Sequence, residues 1–174
     1  MRRRCYQKDR TCRLPRVFSP IQGRTPDTVQ LAEITPAPLR VFLVEDDEHD
    51  RIAVARTLLK SPGRFEVRAV DTGEEAAERL SADPAQADVV VVDYNLPGID
   101  GLATFQVLQN LVGKAVLPAF VMLTANESEE LASKAIRLGM YDFMRKGHSD
   151  HYLKRLPAVL ISAHHRRMRI LGES

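Results

Sequence analysis

The sequence contains no tryptophan, only two cysteines and no long apolar run. Cys5 and Cys12 both lie near the N-terminus and are too few for a disulfide framework or a four-ligand zinc site, so we expect two reduced thiols. The longest uncharged apolar stretch is residues 115–123, which is far shorter than the roughly 20 residues that span a bilayer. No apolar segment follows the N-terminal arginines, so the sequence predicts no secretory signal and no membrane association, and we expect a cytoplasmic protein.

The net charge of +2 conceals a difference between two parts of the chain. Residues 1–40 carry nine Lys/Arg and three Asp/Glu, whereas residues 41–174 carry sixteen and twenty. The first part also has five prolines and no apolar repeat, which predicts a disordered, basic, Pro-rich tail over residues 1–38. Such a tail could bind nucleic acid or an acidic partner by counterion release, but a solvated tail is the plainer interpretation, and we expect no specific DNA binding.

Short apolar runs alternate with helical periods over residues 39–165. The runs 41–44, 89–92 and 120–123 are apolar at consecutive positions, which is typical of parallel strands covered on both faces. Weaker strands are predicted at 65–70 and 141–144. Five alternations of strand and helix predict the α/β class, a (βα)5 doubly wound sheet of five parallel strands.

Capping residues predict several helix ends. Two helix starts are marked by Thr72 with Glu75 and by Asn126 with Glu129. Two helix C-termini are marked by Gly113 and Gly139. The last helix is predicted to run from about Pro157 towards Arg169, because proline is tolerated in a first turn. Residues 166–174 are then the basic C-terminal end of this helix.

Polar residues follow four of the predicted strands. Acidic residues 45–47 follow the first strand and Asp93 follows the third, while Thr124 and Lys146 follow the fourth and fifth. Ligands of doubly wound sheets bind outside the carboxyl ends of the strands, so we expect these residues to converge. Clustered carboxylates repel one another unless a cation lies between them, and oxygen ligands favour Mg²⁺.

Four segments carry a resemblance to a known family. They are VFLVEDD from residue 41, DVVVVDYNLPGIDG from residue 88, VMLTA from residue 121 and YDFMRK from residue 141. Through them the region 39–165 resembles the CheY-like receiver domains of two-component response regulators. The resemblance implies a flavodoxin-like strand order, 2-1-3-4-5, and a switch that accepts a phosphoryl group from a sensor histidine kinase or a phosphotransfer protein.

The resemblance also implies roles for individual residues. Asp93 would be the phospho-acceptor, Thr124 would donate a hydrogen bond to the phosphoryl group, and Lys146 would pair with it. Mg²⁺ would be the cofactor. Glu45 and Asp46 would be the acidic pair beside it, with Asp46 the more direct ligand. The implied ligand set is Glu45, Asp46, Asp93 and the backbone carbonyl of Asn95.

Output would depend on two switch residues, Thr124 and Phe143. The resemblance implies that the Phe143 ring changes rotamer when Thr124 moves towards the phosphoryl group. A downstream protein target, or a second copy of the chain, would bind the face built from the fourth helix, the fifth strand and the last helix.

Two positions depart from related patterns. Gly147 stands where receivers usually have proline after the lysine, and we expect a trans bond there. Haloacid dehalogenase phosphohydrolases, the enzyme alternative, typically need a second aspartate two residues after the nucleophile, where this chain has Asn95. We therefore expect no enzyme beyond transfer of the phosphoryl group to the chain itself and its slow loss.

The end of the sequence leaves two interpretations open. Too few residues follow the last predicted helix for an effector domain of about 50 residues or more, which favours a single-domain regulator acting through protein contacts. The alternative is a receiver module cut from a larger hybrid kinase or effector protein.

Overall fold

The computed structural model describes residues 37–125, 128–147 and 150–172. The predicted N-terminal tail lies outside these ranges, apart from its last two residues. Within them the strands are β1 (Leu39–Val44), β2 (Phe65–Val70), β3 (Val89–Asp93), β4 (Ala119–Thr124) and β5 (Asp142–Arg145). The α-helices are α1 (Glu48–Lys60), α2 (Gly73–Ala82), α3 (Gly101–Val112), α4 (Glu129–Leu138) and α5 (His151–Leu171), and a 3-10 helix spans Pro84–Gln86. Among the described helices, none is both long and apolar enough to cross a lipid bilayer.

The strands form one parallel sheet in the order β2-β1-β3-β4-β5, as predicted. The central strands β3 and β4 are buried at every position, which explains their consecutive apolar residues. The edge strand β2 mixes buried and exposed positions, and this accounts for its weaker signal in the sequence.

Helices cover both faces of the sheet, and successive strand residues pack alternately against the helices on one face and on the other. Phe42, Val90 and Phe120 pack on the side covered by α2, α3 and α4. Leu43 and Val91 pack on the opposite side, against α1 and α5. This arrangement is doubly wound, and it brings the carboxyl ends of all five strands to one edge.

The helix ends agree with most of the predicted caps. Thr72 Oγ1 accepts the Glu75 N–H at 3.2 Å, and Gly113 and Gly139 end their helices with positive φ angles of 82° and 111°. The predicted cap at Asn126 is wrong. Asn126 lies outside the described residues, and α4 is capped by Ser128, whose hydroxyl accepts the Leu131 N–H at 3.2 Å.

The predicted start of the last helix is also wrong, because α5 begins at His151 and Pro157 lies inside it. Proline removes one helical hydrogen bond at this point. Against this loss, an apolar stripe that extends on both sides of the proline is buried against the sheet. The stripe is Leu153, Leu156, Leu160 and Ala163.

Candidate functional site

The carboxyl edge of the sheet gathers the polar residues that follow its strands. Glu45 follows β1, Asp93 ends β3, Thr124 ends β4 and Lys146 follows β5. The parallel register places Asp93 beside Leu123 and Thr124 beside Arg145, and the Lys146 N–H donates to the Thr124 carbonyl at 2.7 Å. The structure therefore brings together residues that lie up to 101 positions apart.

Three carboxylates form the acidic part of this edge. Glu45, Asp46 and Asp93 each offer an oxygen, and these oxygens lie within 4.8 Å of one another. Glu45 and Asp93 are buried, with 1% and 4% of their surface exposed, whereas Asp46 is exposed. Grouped carboxylate oxygens are the ligands that Mg²⁺ prefers, so these three residues fit such an ion.

Lys146 is the cation of the site. Its Nζ lies 2.7 Å from Glu45 Oε2, 2.7 Å from Asp93 Oδ1 and 2.8 Å from Asp50 Oδ2, and 12% of its side chain is exposed. Burial by itself would lower the pKa of Lys146, but the contacts with Asp50, Asp93 and Glu45 outweigh burial and raise it. Lys146 is therefore positively charged at neutral pH.

Glu45 shows that one lysine does not fully offset the carboxylates. Burial raises the pKa of Glu45 to about 7, although its contact with Lys146 acts in the opposite direction. The nearby Asp93 and Asp50 carboxylates raise it further. A divalent cation among these oxygens would favour the ionised form of Glu45, so the donor set fits Mg²⁺.

The two carboxylate oxygens of Asp93 have different surroundings. Oδ2 accepts the Asn95 N–H at 2.6 Å. Oδ1 is buried and receives no directed hydrogen bond, although it lies 2.7 Å from Lys146 Nζ in an ion pair. A buried oxygen of this kind is suited to a metal ion or an incoming phosphoryl group.

The loop after β3 is held tightly against the sheet. The Tyr94 N–H donates to the Leu123 carbonyl at 2.8 Å, and the Asp100 carboxylate caps α3 by accepting the Ala103 N–H at 2.7 Å. A Cβ at Gly101 would overlap the backbone carbonyl of Asp93, so glycine allows α3 to begin this close to the strand. These contacts fix the backbone that follows Asp93.

The remaining predicted residues take different positions. Thr124 is fully buried. Asn95 is exposed, and its backbone N–H donates to the Asp93 carboxylate. Phe143 is half-buried in β5 opposite Met122 and packs against the core on the α2, α3 and α4 side. The roles predicted for the site residues all stay predictions, including the Asn95 carbonyl as a ligand and the Phe143 ring as a switch. The described residues contain no cis peptide bond, so the Lys146–Gly147 bond is trans as expected.

Two polar residues of α1 were missed by the sequence analysis. Asp50 contacts Lys146, and Arg51 Nη1 donates to the Glu45 carbonyl at 2.9 Å while it pairs with Asp71 at 2.7 Å. A signal was available for Asp50, because it lies in the first turn of the helix that follows the acidic run, at the same edge of the sheet.

Comparison with known proteins identifies similar sequences. A family model described as the response regulator receiver domain matches residues 41–158. Protein-glutamate methylesterase/protein-glutamine glutaminase 1 of Methanosarcina acetivorans is 32% identical over 123 residues, which cover 71% of this chain and 34% of that protein. A two-component response regulator of Oryza sativa subsp. japonica is 30% identical over 110 residues, which cover 63% of this chain and 72% of that protein.

Solved structures share the fold. The response regulator domain of Thermotoga maritima CheB superimposes with a TM-score of 0.60 at 19% identity, covering 76% of this chain and 98% of that chain. The chain spans about a third of the length of the methylesterase relatives that it matches.

Proposed function

The chain belongs to the response regulator receiver domain family of two-component systems, and from this premise we propose that it is a phosphorylation-dependent switch whose phospho-acceptor is Asp93. One observation carries the assignment to Asp93. Its buried Oδ1 has no directed hydrogen bond, yet it lies beside Lys146 and near the Glu45 and Asp46 carboxylates.

The transfer step is a displacement at phosphorus. An Asp93 carboxylate oxygen attacks the phosphorus of a phosphohistidine, the P–N bond breaks, and its electron pair stays on the imidazole nitrogen. With acetyl phosphate the P–O bond breaks instead and acetate leaves. The ionised carboxylate has no proton to lose, and the Lys146 ammonium lies where it offsets negative charge developing on the phosphoryl oxygens.

Mg²⁺ fits the acidic residues around Asp93. Its ligands would be Glu45, Asp46, Asp93 and the backbone carbonyl of Asn95. When bound, it supplies positive charge between the acceptor and the phosphoryl oxygens. Thr124, at the end of the neighbouring strand, donates its hydroxyl to the phosphoryl group.

The donor is a sensor histidine kinase or a phosphotransfer protein, and the output is a change of protein contacts. Phe143 lines a cavity of about 580 Å³ whose walls come from α4, β5 and α5. This space allows the ring to turn when Thr124 moves, and the surface made by these three elements then changes for a downstream partner or a second copy.

The second candidate is a receiver module within a longer protein. It is favoured because the methylesterase relatives match this chain over about a third of their own length. Their methylesterase and glutaminase activities are not assigned to this chain, because the match covers only 34% of the first relative. Both candidates assign the same chemistry to Asp93.

Intact-protein mass spectrometry tests the acceptor. After incubation with acetyl phosphate and Mg²⁺, the wild type should gain one phosphoryl group and Asp93→Asn should gain none, since an amide is a poor nucleophile. Asp83→Asn is the matched control, because Asp83 is an exposed aspartate before the 3-10 helix and asparagine also caps helices well. Labelling of Asp93→Asn at the wild-type level would place the acceptor elsewhere.

A further inference from the structure

The ammonium of Lys146 contacts three carboxylates: it donates hydrogen bonds to Glu45 at 2.7 Å and to Asp50 at 2.8 Å, and it lies 2.7 Å from Asp93 without a directed hydrogen bond. Two of them, Glu45 and Asp93, belong to the proposed site, and the third belongs to Asp50 in the first turn of α1. We propose that Asp50 is a positioning residue which holds Lys146 in the resting state and competes with the phosphoryl group for it. The inference rests on the proposed function.

A phosphoryl group on Asp93 competes for Lys146 with the carboxylates that already accept its hydrogen bonds. The group brings a charge of about −1.5 to −2 and three strong acceptor oxygens. Because Glu45 and Asp50 already accept two of the three lysine donors, Lys146 can give the phosphoryl oxygens more than its third donor only if one of these two contacts breaks.

Burial indicates which contact breaks. The side chain of Glu45 is 1% exposed, so without Lys146 it would be a dehydrated and unpaired charge. The Asp93 carboxylate becomes part of the acyl phosphate, so its contact with Lys146 passes to the phosphoryl group. The Asp50 side chain is 39% exposed, and water can hydrate its carboxylate once the lysine leaves. Exchange of Asp50 for a phosphoryl oxygen is therefore the least costly rearrangement.

Asp50 itself is held in place while Lys146 can move. Its backbone N–H donates to the capping carboxylate of Asp47 at 2.9 Å, which fixes it in the first turn of α1. The lysine has four flexible methylenes, so the exchange needs only its side chain to rotate.

Removal of the competing carboxylate should strengthen binding of a phosphoryl mimic. We expect Asp50→Asn to bind beryllofluoride with Mg²⁺ roughly 5-fold more tightly than the wild type, a coupling at the low end of those between linked sites. The signal of bound fluoride in ¹⁹F NMR titrations measures the affinity. Glu48→Gln is the matched control, because Glu48 is exposed in the same turn and lies outside the Lys146 contacts.

A double-mutant cycle separates competition for Lys146 from a general decrease in negative charge. In a Lys146→Met background, measured with Mg²⁺ present, Asp50→Asn should leave beryllofluoride affinity unchanged, because there is no lysine to release. A second readout needs no Lys146 variant. The ¹⁵Nζ resonance of Lys146 should shift in Asp50→Asn and stay in place in Glu48→Gln.

The outcomes distinguish this inference from the proposed function. Unchanged or weaker affinity in Asp50→Asn, an equal gain in Glu48→Gln, a gain that persists without Lys146, or an unshifted ¹⁵Nζ resonance would each overturn the role of Asp50 alone. If the wild type binds no beryllofluoride, or Asp93→Asn binds it equally well, the proposed function fails and the inference fails with it.

Discussion

Lys146→Met tests how far one cation stabilises the buried carboxylates. Methionine approximates the length of the lysine stem but carries no charge, so Glu45 and Asp93 would remain buried without their partner. At 2.7 Å and an effective dielectric constant of about 20, each contact contributes about 6 kcal/mol before the cost of dehydration. After dehydration is included, removal of one partner from a buried ion pair costs about 3–5 kcal/mol.

Thermal melts by circular dichroism of the metal-free protein give the measurement. For a domain of this size 1 kcal/mol corresponds to roughly 4 °C, so Lys146→Met should melt on the order of 12–20 °C below the wild type. Lys134→Met on α4 is the control, because Lys134 is exposed and its substitution should change stability by less than about 0.5 kcal/mol.

Mg²⁺ should restore part of the lost stability, since it supplies positive charge to the same oxygens. A ligand present at 100 times its dissociation constant stabilises the folded state by about 2.7 kcal/mol. If Lys146→Met and Lys134→Met melt together in metal-free buffer, the carboxylates do not depend on Lys146, and the electrostatic account of the site is refuted.

Two further predictions concern pH. Because burial raises the pKa of Glu45 from 4.5 to about 7, the folded state favours its protonated form; this contribution is present below pH 4.5 and is lost as the pH rises through 7. In metal-free urea melts, the free energy of unfolding of Glu45→Gln should therefore rise by about 3 kcal/mol relative to that of the wild type between pH 4.5 and 8. A difference in stability that does not change with pH would contradict this. The Asp88 carboxylate accepts the Arg40 backbone N–H at 2.8 Å and two guanidinium donors, which outweigh burial and hold its pKa below 3.8. Asp88→Ala should cost about 2 kcal/mol at pH 7, and the cost should shrink as the pH falls below 3.8; an equal cost at pH 7 and pH 2.5 would show that the charge is not responsible.

Most of the fold was predictable because its signals are local. Strands β3 and β4 are buried on both faces, so consecutive apolar residues mark them, and each polar residue that follows such a run falls at the ligand-binding edge. The resemblance supplied the strand order, which these local patterns leave open. Local signals also misled, because Pro157 suggested a helix start and packing of the stripe from Leu153 to Ala163 extended α5 through it.

The sequence by itself determined which residue types lie at the edge of the sheet, since strand periodicity and helix capping act over a few residues. The tertiary structure alone decided which of them touch. Lys146 meets Asp50 across 96 positions. Strands β3 and β4 lie between β1 and β5 in the sheet, but the parallel strands all end at the same edge, where Lys146 follows β5 and the first turn of α1 follows β1. Burial separates Glu45 and Asp93 from the more exposed Asp50, and burial depends on the packing of the whole domain.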